Sequence, residues 1–425
     1  MKYPQYILIV SILLSCINIG LCQDEKPVIH QIQFLGIQKM KTSFLNNNIT
    51  TRTKDELTLK IVQNDVQFLK NIPGIKNAYY SLDTIDNKIF LNYNIEEIHT
   101  LLPILNFGGI KGNLWFTFGM SDNNWRGLGQ TFLAYYQNNN GRHSGKLFFK
   151  TPQMNGKKLG FSLSLNKWSS EEPLFFDEGT VQYIYDNNGV AGSIIYAIDR
   201  NRSIELGGNF FNEKYFQSTN QELSDPPGPK SFSQNKFLSS FQYYENFLKY
   251  NFFYLKGFEW FIRYQNVYNA VDKTKFNSIK FQVKNFIQAT HTTNIASRIS
   301  FAVSTNNNSP FAPFVVDSHV NLRGVGNRID RGTAQAIINL EIRQTIYHQK
   351  NWASQFIIFS DWGSWRNPGG QLSDVFDRSE FRHFVGGGFR VIYQNVFGAV
   401  LRIDYGIDIY NSNQRGLVLG LGQYF

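Results

Sequence analysis

The stretch "NVFGAVLRIDYGIDIY", Asn395 to Tyr410, decides the fold. Side chains of an extended strand alternate between its two faces. Phe397, Ala399, Leu401, Ile403, Tyr405 and Ile407 therefore share one face, and Gly398, Val400, Arg402, Asp404, Gly406 and Asp408 share the other. The first face suits lipid and the second a polar lumen, the pattern of a membrane β-barrel strand. "AIINLEIRQ" repeats it, with Ala336, Ile338, Leu340 and Ile342 opposed to Ile337, Asn339, Glu341 and Arg343.

Outward from these stretches, no helical period appears anywhere between His99 and Phe425. That part of the chain breaks into short alternating runs separated by clusters of Asn, Gly, Asp and Ser. It accommodates about 16 antiparallel strands, at roughly 20 residues for each strand and its connection. Aromatics make up 16% of the chain, with 38 Phe and 22 Tyr against 4 Met and 2 Cys, a bias toward strands and interfacial girdles. A mean hydropathy of -0.30 and the lack of a long internal apolar run exclude a polytopic helical membrane protein. A soluble β-sandwich also alternates. Against it stand the leader, the unbroken number of strands and a closing strand, "LVLGLGQYF", that ends on an aromatic.

The first 22 residues, with Lys2, an apolar core from Tyr6 to Leu14 and small residues near Gly20 and Cys22, read as a secretory signal peptide. The rival reading of "LLSC" is a lipobox, with Cys16 acylated. Both cysteines, Cys16 and Cys22, fall in this segment, so a mature chain carries no disulfide, thiolate metal site or Cys nucleophile. The formal charge of +10 suits an anionic surface or is ordinary solubilising charge.

Residues 28–97 form a separate unit. "VIHQIQFLGI" alternates like a strand, "SFLNNNI" makes a short helix, and "TKDELTLKIVQNDVQFLKNI" a longer one. Thr53 and Glu56 have capping-box spacing, and Leu59, Val62, Val66 and Leu69 recur at helical intervals. Pro73 and Gly74 stop that helix, and "IKNAYYSL" and "KIFLNYNIEE" follow as strands. The expected order is β-α-α-β-β, ahead of an all-β transmembrane barrel over 99–425.

A single such unit before a barrel resembles the outer-membrane superfamily of BamA, TamA and the TpsB two-partner secretion transporters, whose periplasmic modules are POTRA domains. "NWRGLG", Asn124 to Gly129, resembles the family's N-x-x-G-x-G signature near the barrel start, carried by Asn124, Gly127 and Gly129. "LRGVG" resembles the V-R-G-Y/F loop motif, with Leu322 for Val and Val325 for the aromatic. "FSDWG", Phe359 to Gly363, is similar to the F-x-D-x-G motif of a late strand, and "NLEIRQ" to the acidic strand before it. "LGQYF" is similar to the aromatic-ended last strand, which makes Phe425 the C-terminal strand signal.

The resemblance implies that the loop carrying Arg323 and Gly324, from about Ser309 to Arg331, folds back into the lumen and that Arg323 contacts strand carboxylates. Alternation independently places Glu341 and Asp361 away from lipid, with Gly363 following. A guanidinium can fork between two carboxylates where an ammonium cannot. The bland alternative is one lumen charge among many.

No G-x-S-x-G elbow, Walker loop or zinc spacing occurs, and the 7 His are scattered, so neither an enzyme, a cofactor, a metal nor a nucleic-acid partner is expected. "VGGGF", 385–389, reads as a bent strand and not a phosphate cradle. "NIT" at Asn48 matches a glycosylation sequon by chance. The resemblance implies an outer-membrane protein of a Gram-negative-type cell that inserts, assembles or translocates polypeptides, with the POTRA domain in the periplasm. Its expected partners are outer-membrane lipid and unfolded or secreted polypeptides. Accessory periplasmic proteins or lipoproteins are left open. A TpsB-like secretion pore and a structural or diffusion barrel remain as alternatives.

Overall fold

The computed structural model describes residues 27–425 except 87, 111–112, 155, 220–224, 252, 317–320, 326–329 and 378–380. The expected signal peptide, with Cys16 and Cys22, lies outside the described residues. The N-terminal module runs β1 (Ile29–Leu35), α1 (Thr42–Asn48), α2 (Leu59–Lys70), β2 (Ile75–Ile85) and β3 (Lys88–Glu97). Its sheet has the order β1-β3-β2, with β1 parallel and β2 antiparallel to the central strand.

The helices cover one face of that sheet around Ile29, Leu45, Val62, Leu69, Leu91 and Tyr93. Leu59 departs from the expected stripe: it opens α2 and is 48% exposed, while Val66 is only partly buried. The expected capping box is also absent. Thr58 caps α2 without a side-chain bond, because the preceding segment is already tied to β1, Ile29 N–H donating to Asp55 O and Lys54 N–H to Ile29 O. Glu56 forms a β-bridge with Val28.

The barrel follows: β4 (Leu101–Ile110), β5 (Asn113–Trp125), β6 (Gln130–Asn139), β7 (Arg142–Thr151), β8 (Leu159–Phe176), β9 (Gly179–Ala197), β10 (Arg202–Gln217) and β11 (Ser231–Asn246). A short β12 (Lys249–Asn251) annexed to β13 (Tyr254–Asn269) leads to β14 (Lys275–Gln288) and β15 (Thr293–Ser304). A long loop containing the ribbon β16 (Phe314–Val316) and β17 (Asp330–Gly332) precedes β18 (Ala334–Gln349), β19 (Trp352–Arg366), β20 (Arg382–Tyr393), β21 (Val400–Asp408) and β22 (Arg415–Leu421). With β12 set aside as a fragment, the described residues form a closed antiparallel barrel of 16 strands.

Alternation builds its wall. In β21, Val400, Arg402, Asp404, Gly406 and Asp408 are buried toward the lumen, while Leu401, Ile403 and Tyr405 are exposed outward. The strand begins at Val400 rather than Phe397, because Gly398 takes a positive φ of 73° and the Phe397 N–H turns to His99 O at 2.7 Å. Leu105, Phe118, Leu165, Phe210, Ile358 and Leu417 continue the apolar outer belt, the pattern of a barrel wall that faces hydrocarbon.

Strand lengths are uneven: 19 residues in β9 against 7 in β22. The closing seam is the weakest ladder. β22 meets β4 at Leu417–Gly109, Val418–Gly108 and Leu419–Phe107, whereas β8 and β9 pair over their whole length. Below that short zip, Leu421 N–H donates to the Asn106 side-chain oxygen at 3.1 Å in place of a strand carbonyl. Gly422, with φ of 92°, then turns the chain off the wall.

Candidate functional site

The loop between β15 and β18 returns into the lumen and ends in a knot of charge. Arg323 is fully buried. Its backbone N–H and Nε donate to Asp361 Oδ2 at 3.0 and 2.8 Å, its Nη2 to Asp361 Oδ1 at 2.9 Å, and its Nη1 to Glu341 Oε2 at 2.5 Å. Arg343 Nε donates to the other Glu341 oxygen at 2.7 Å. Arg390 forks onto Asp404 at 2.7 and 3.1 Å and lies 4.0 Å from Glu341. Three guanidiniums thus balance three carboxylates, the condition under which buried charge is tolerable.

Backbone shape lets the loop reach this depth. Gly324 has a positive φ of 102°, and a Cβ there would meet Phe384 Cδ1 at 2.6 Å and the Gly406 backbone at 2.9 Å. A Cβ at Gly363 would meet Leu322 at 2.5 Å. Leu322, where the sequence departs from the expected Val, packs with Ile337, Trp365 and Phe384, and Val325 lies against the same cluster. Loop residue 321 adds a second hold, its carbonyl accepting from Asn339 Nδ2 at 2.9 Å and from Arg298 Nη2 at 3.2 Å.

The chain end completes the knot, and here the sequence expectation needs correction. Phe425 is not on the last strand. β22 ends at Leu421, and the turn at Gly422 sends Gln423, Tyr424 and Phe425 inward. The Arg323 guanidinium is sandwiched between the rings of Phe359, 3.7 Å to centroid, and Tyr424, 4.4 Å. Arg402 Nη1 donates to Gln423 O at 3.1 Å, Arg343 Nη2 to Phe425 O at 3.2 Å, and Phe425 lies near the Phe286 ring. The Arg343, Arg390, Asp404 and Tyr424 contributions were not singled out in the sequence. Alternation put Arg343 and Asp404 on lumen faces, while Arg390 was not read and nothing local signals the tail.

The barrel-start motif lies elsewhere, in the socket for the N-terminal module. Asn124 is buried and its side-chain oxygen accepts from Gly129 N–H at 2.9 Å. Gly127, with φ of 74°, accepts at its carbonyl from Lys41 N–H at 3.0 Å, and a Cβ there would meet Lys39 O at 1.9 Å. A Cβ at Gly129 would meet Phe44 at 2.4 Å. Lys39 Nζ pairs with Asp122 at 2.8 Å.

Across the same mouth, Arg200 from the β9–β10 turn pairs with Asp65 of α2 at 2.7 Å and lies over Phe68. Asn71 Nδ2 donates to Leu248 O at 2.7 Å, and Asn71 Oδ1 accepts from Tyr250 N–H at 3.1 Å. Burial would raise the Asp65 carboxyl. Hydrogen bonds from the Thr51 side chain and backbone, Arg200 and Thr50 N–H outweigh that and hold it below the ordinary carboxylate range.

The sequence matches no family model and no curated protein. Solved structures with similar architecture exist. BamA from Haemophilus ducreyi lacking POTRA domains 1–3 superposes with a TM-score of 0.51 at 16% identity, covering 93% of this chain and 84% of that one. CdiB from Acinetobacter baumannii gives 0.58 at 13% identity, covering 93% and 74%, and CdiB from Escherichia coli 0.60 at 8%, covering 94% and 77%. With sixteen antiparallel strands, an inward loop and a module at one mouth, the chain has the fold of the BamA- and CdiB-type outer-membrane barrels.

Proposed function

We propose that this chain is an outer-membrane barrel that inserts or assembles polypeptides, working without covalent chemistry of its own. The observation that carries the reading is the seam. Among the described residues, three residue pairs and one side-chain bond hold β22 to β4, which leaves the rest of that β4 edge without a paired strand there. In hydrocarbon such groups are costly, and an incoming strand supplies them. Parting the seam breaks few bonds and exposes a template for strand addition.

In this reading the N-terminal module is a POTRA domain on the periplasmic side. β2 is an edge strand of its sheet and the surface that receives substrate. The knot around Arg323 holds loop and tail while the seam moves. A second reading, a secretion pore of the TpsB type, is favoured by a cavity of about 290 Å³ inside the barrel between the loop and the β8–β14 wall. There the passenger takes the lumen and not the seam.

A disulfide across the seam separates the two readings. Gly108→Cys with Val418→Cys, residues paired in register, is introduced into a strain depleted of the native protein, and outer-membrane and secreted proteomes are compared with and without reductant. Assembly through the seam fails for many barrels when locked and recovers on reduction. If the locked protein supports wild-type proteomes, the seam is not the route. Loss of a single secreted protein on depletion alone, unaffected by the lock, points to the lumen.

A further inference from the structure

Most lumen cations lie beside a carboxylate. Lys236 pairs with Glu213 at 2.6 Å, Arg331 with Glu172 at 2.5 Å and Lys284 with Glu259 at 2.9 Å. Arg263 and Lys280 break this rule. They sit directly opposite one another on β13 and β14 and face the same cavity. Arg263 donates from Nε and Nη2 to the neutral Gln242 oxygen at 2.8 and 2.6 Å. Among the described residues, neither forms an ion pair. The acid of that row, Glu205, stands opposite Gln242, two strands from Arg263.

Like charges directly opposed across a ladder destabilise it, and a shielded lumen sharpens the repulsion. An anion between them would reverse its sign. The cavity holds about 290 Å³, the lower edge of the range for small-ligand sites. Its walls include Phe211, Leu238, Val267 and Phe276, so it does not suit a fully hydrated inorganic ion. We infer that Arg263 and Lys280 form a binding site for an organic carboxylate, the two cations gripping the anion and the aromatic and aliphatic wall taking the attached apolar group. The carboxylate comes either from a free small acid or from an acidic side chain of a bound polypeptide. The inference rests on the lumen and not on the seam.

The test is thermal unfolding of the full chain in detergent micelles with phenylacetate, its neutral amide, inorganic phosphate, and capped Phe-Glu-Phe and Phe-Gln-Phe peptides. Phenylacetate raises the Tm and the amide does not. Lys280→Gln, alone and with Arg263→Gln, weakens the apparent affinity by about tenfold or more, the scale of a lost hydrogen bond to a charged group. Without ligand, Lys280→Gln is as stable as the wild type or more so, since it removes the repulsion. Tighter binding of the Glu peptide than of phenylacetate assigns the carboxylate to a polypeptide, and equal binding to a free acid; both support the site. A response equal for the amide, for phosphate, or in the double variant overturns it, as does a ligand-free Lys280→Gln less stable than the wild type.

Discussion

The guanidinium of Arg323 lies 4.4 Å from the centroid of the Tyr424 ring. A loop that enters from one end of the barrel is therefore held against a tail that leaves the last strand near the other. Asp361 and Glu341 grip the guanidinium edge while Phe359 and Tyr424 cover its faces. Each face contact is worth about 0.5–2 kcal/mol, and the carboxylate fork more.

Arg323→Ala leaves the barrel folded, because every strand keeps its ladder, so the variant should still migrate faster on gels when unheated, as a closed barrel with no free edge does. The loop becomes sensitive to protease. Removing one partner of a buried pair costs about 3–5 kcal/mol, mostly from the charges left behind. Arg323→Lys rescues poorly, since an ammonium does not fork. In a cycle with Asp361→Ala the double variant loses less than the sum of the single effects; strict additivity would show that no tether exists.

Tyr424→Ala frees one face of Arg323 and releases the tail, whereas Tyr424→Phe keeps the ring. Hydrogen exchange at 321–325 should rise in the Ala variant and stay near wild type in the Phe variant. Equal exchange in all three proteins would mean that the tail does not hold the loop.

Gly127→Val drives a side chain into the Lys39 carbonyl, 1.9 Å from the position of a Cβ. The N-terminal module leaves its socket while its own core, built from β1 to β3 and both helices, survives. A cysteine pair replacing Lys39 and Asp122 should crosslink in an otherwise wild-type chain and fail to do so with Gly127→Val.

Acid weakens the docking. Asp65 has its folded pKa lowered by bonds that form only in the fold. Its stabilisation is present in full above the unfolded carboxylate value of about 3.9, and is lost as pH falls through the lower folded value. Asp65→Asn removes this dependence. It also loosens α2, since Thr50, Thr51 and Arg200 all bind that carboxylate. Unfolding of the module followed against pH checks both; an identical pH profile in the variant would assign the transition to other groups.

Alternation made the wall legible: Glu341 and Asp361 were placed on lumen faces by period two alone, and both meet Arg323. Where the reading slipped, a residue in a positive-φ turn had broken the period. Gly398 cut the lipid face back from Phe397 to Leu401, and Gly422 sent Phe425 indoors. The socket at Asn124, Gly127 and Gly129 was visible as a motif. Its purpose was not, because the side it serves comes from Lys39 and Phe44, some 80 residues earlier in the chain. Period marks a face, and only tertiary contact identifies its neighbour.

The uneven strand lengths bear on the membrane itself. A spanning strand needs about 9–11 residues. β9, with 19, rises well past that, while β22 has 7 and its neighbour β21 has 9. The strands are therefore shortest beside the seam, and a bilayer around the barrel in the proposed reading would compress there to match them, at a cost of fractions of a kcal/mol per ångström. Under the proposed function, a bilayer matched to these strands would be locally thin where the strand ladder is shortest, so hydrophobic mismatch and incomplete strand pairing would lower the barrier to insertion at the same point on the circumference.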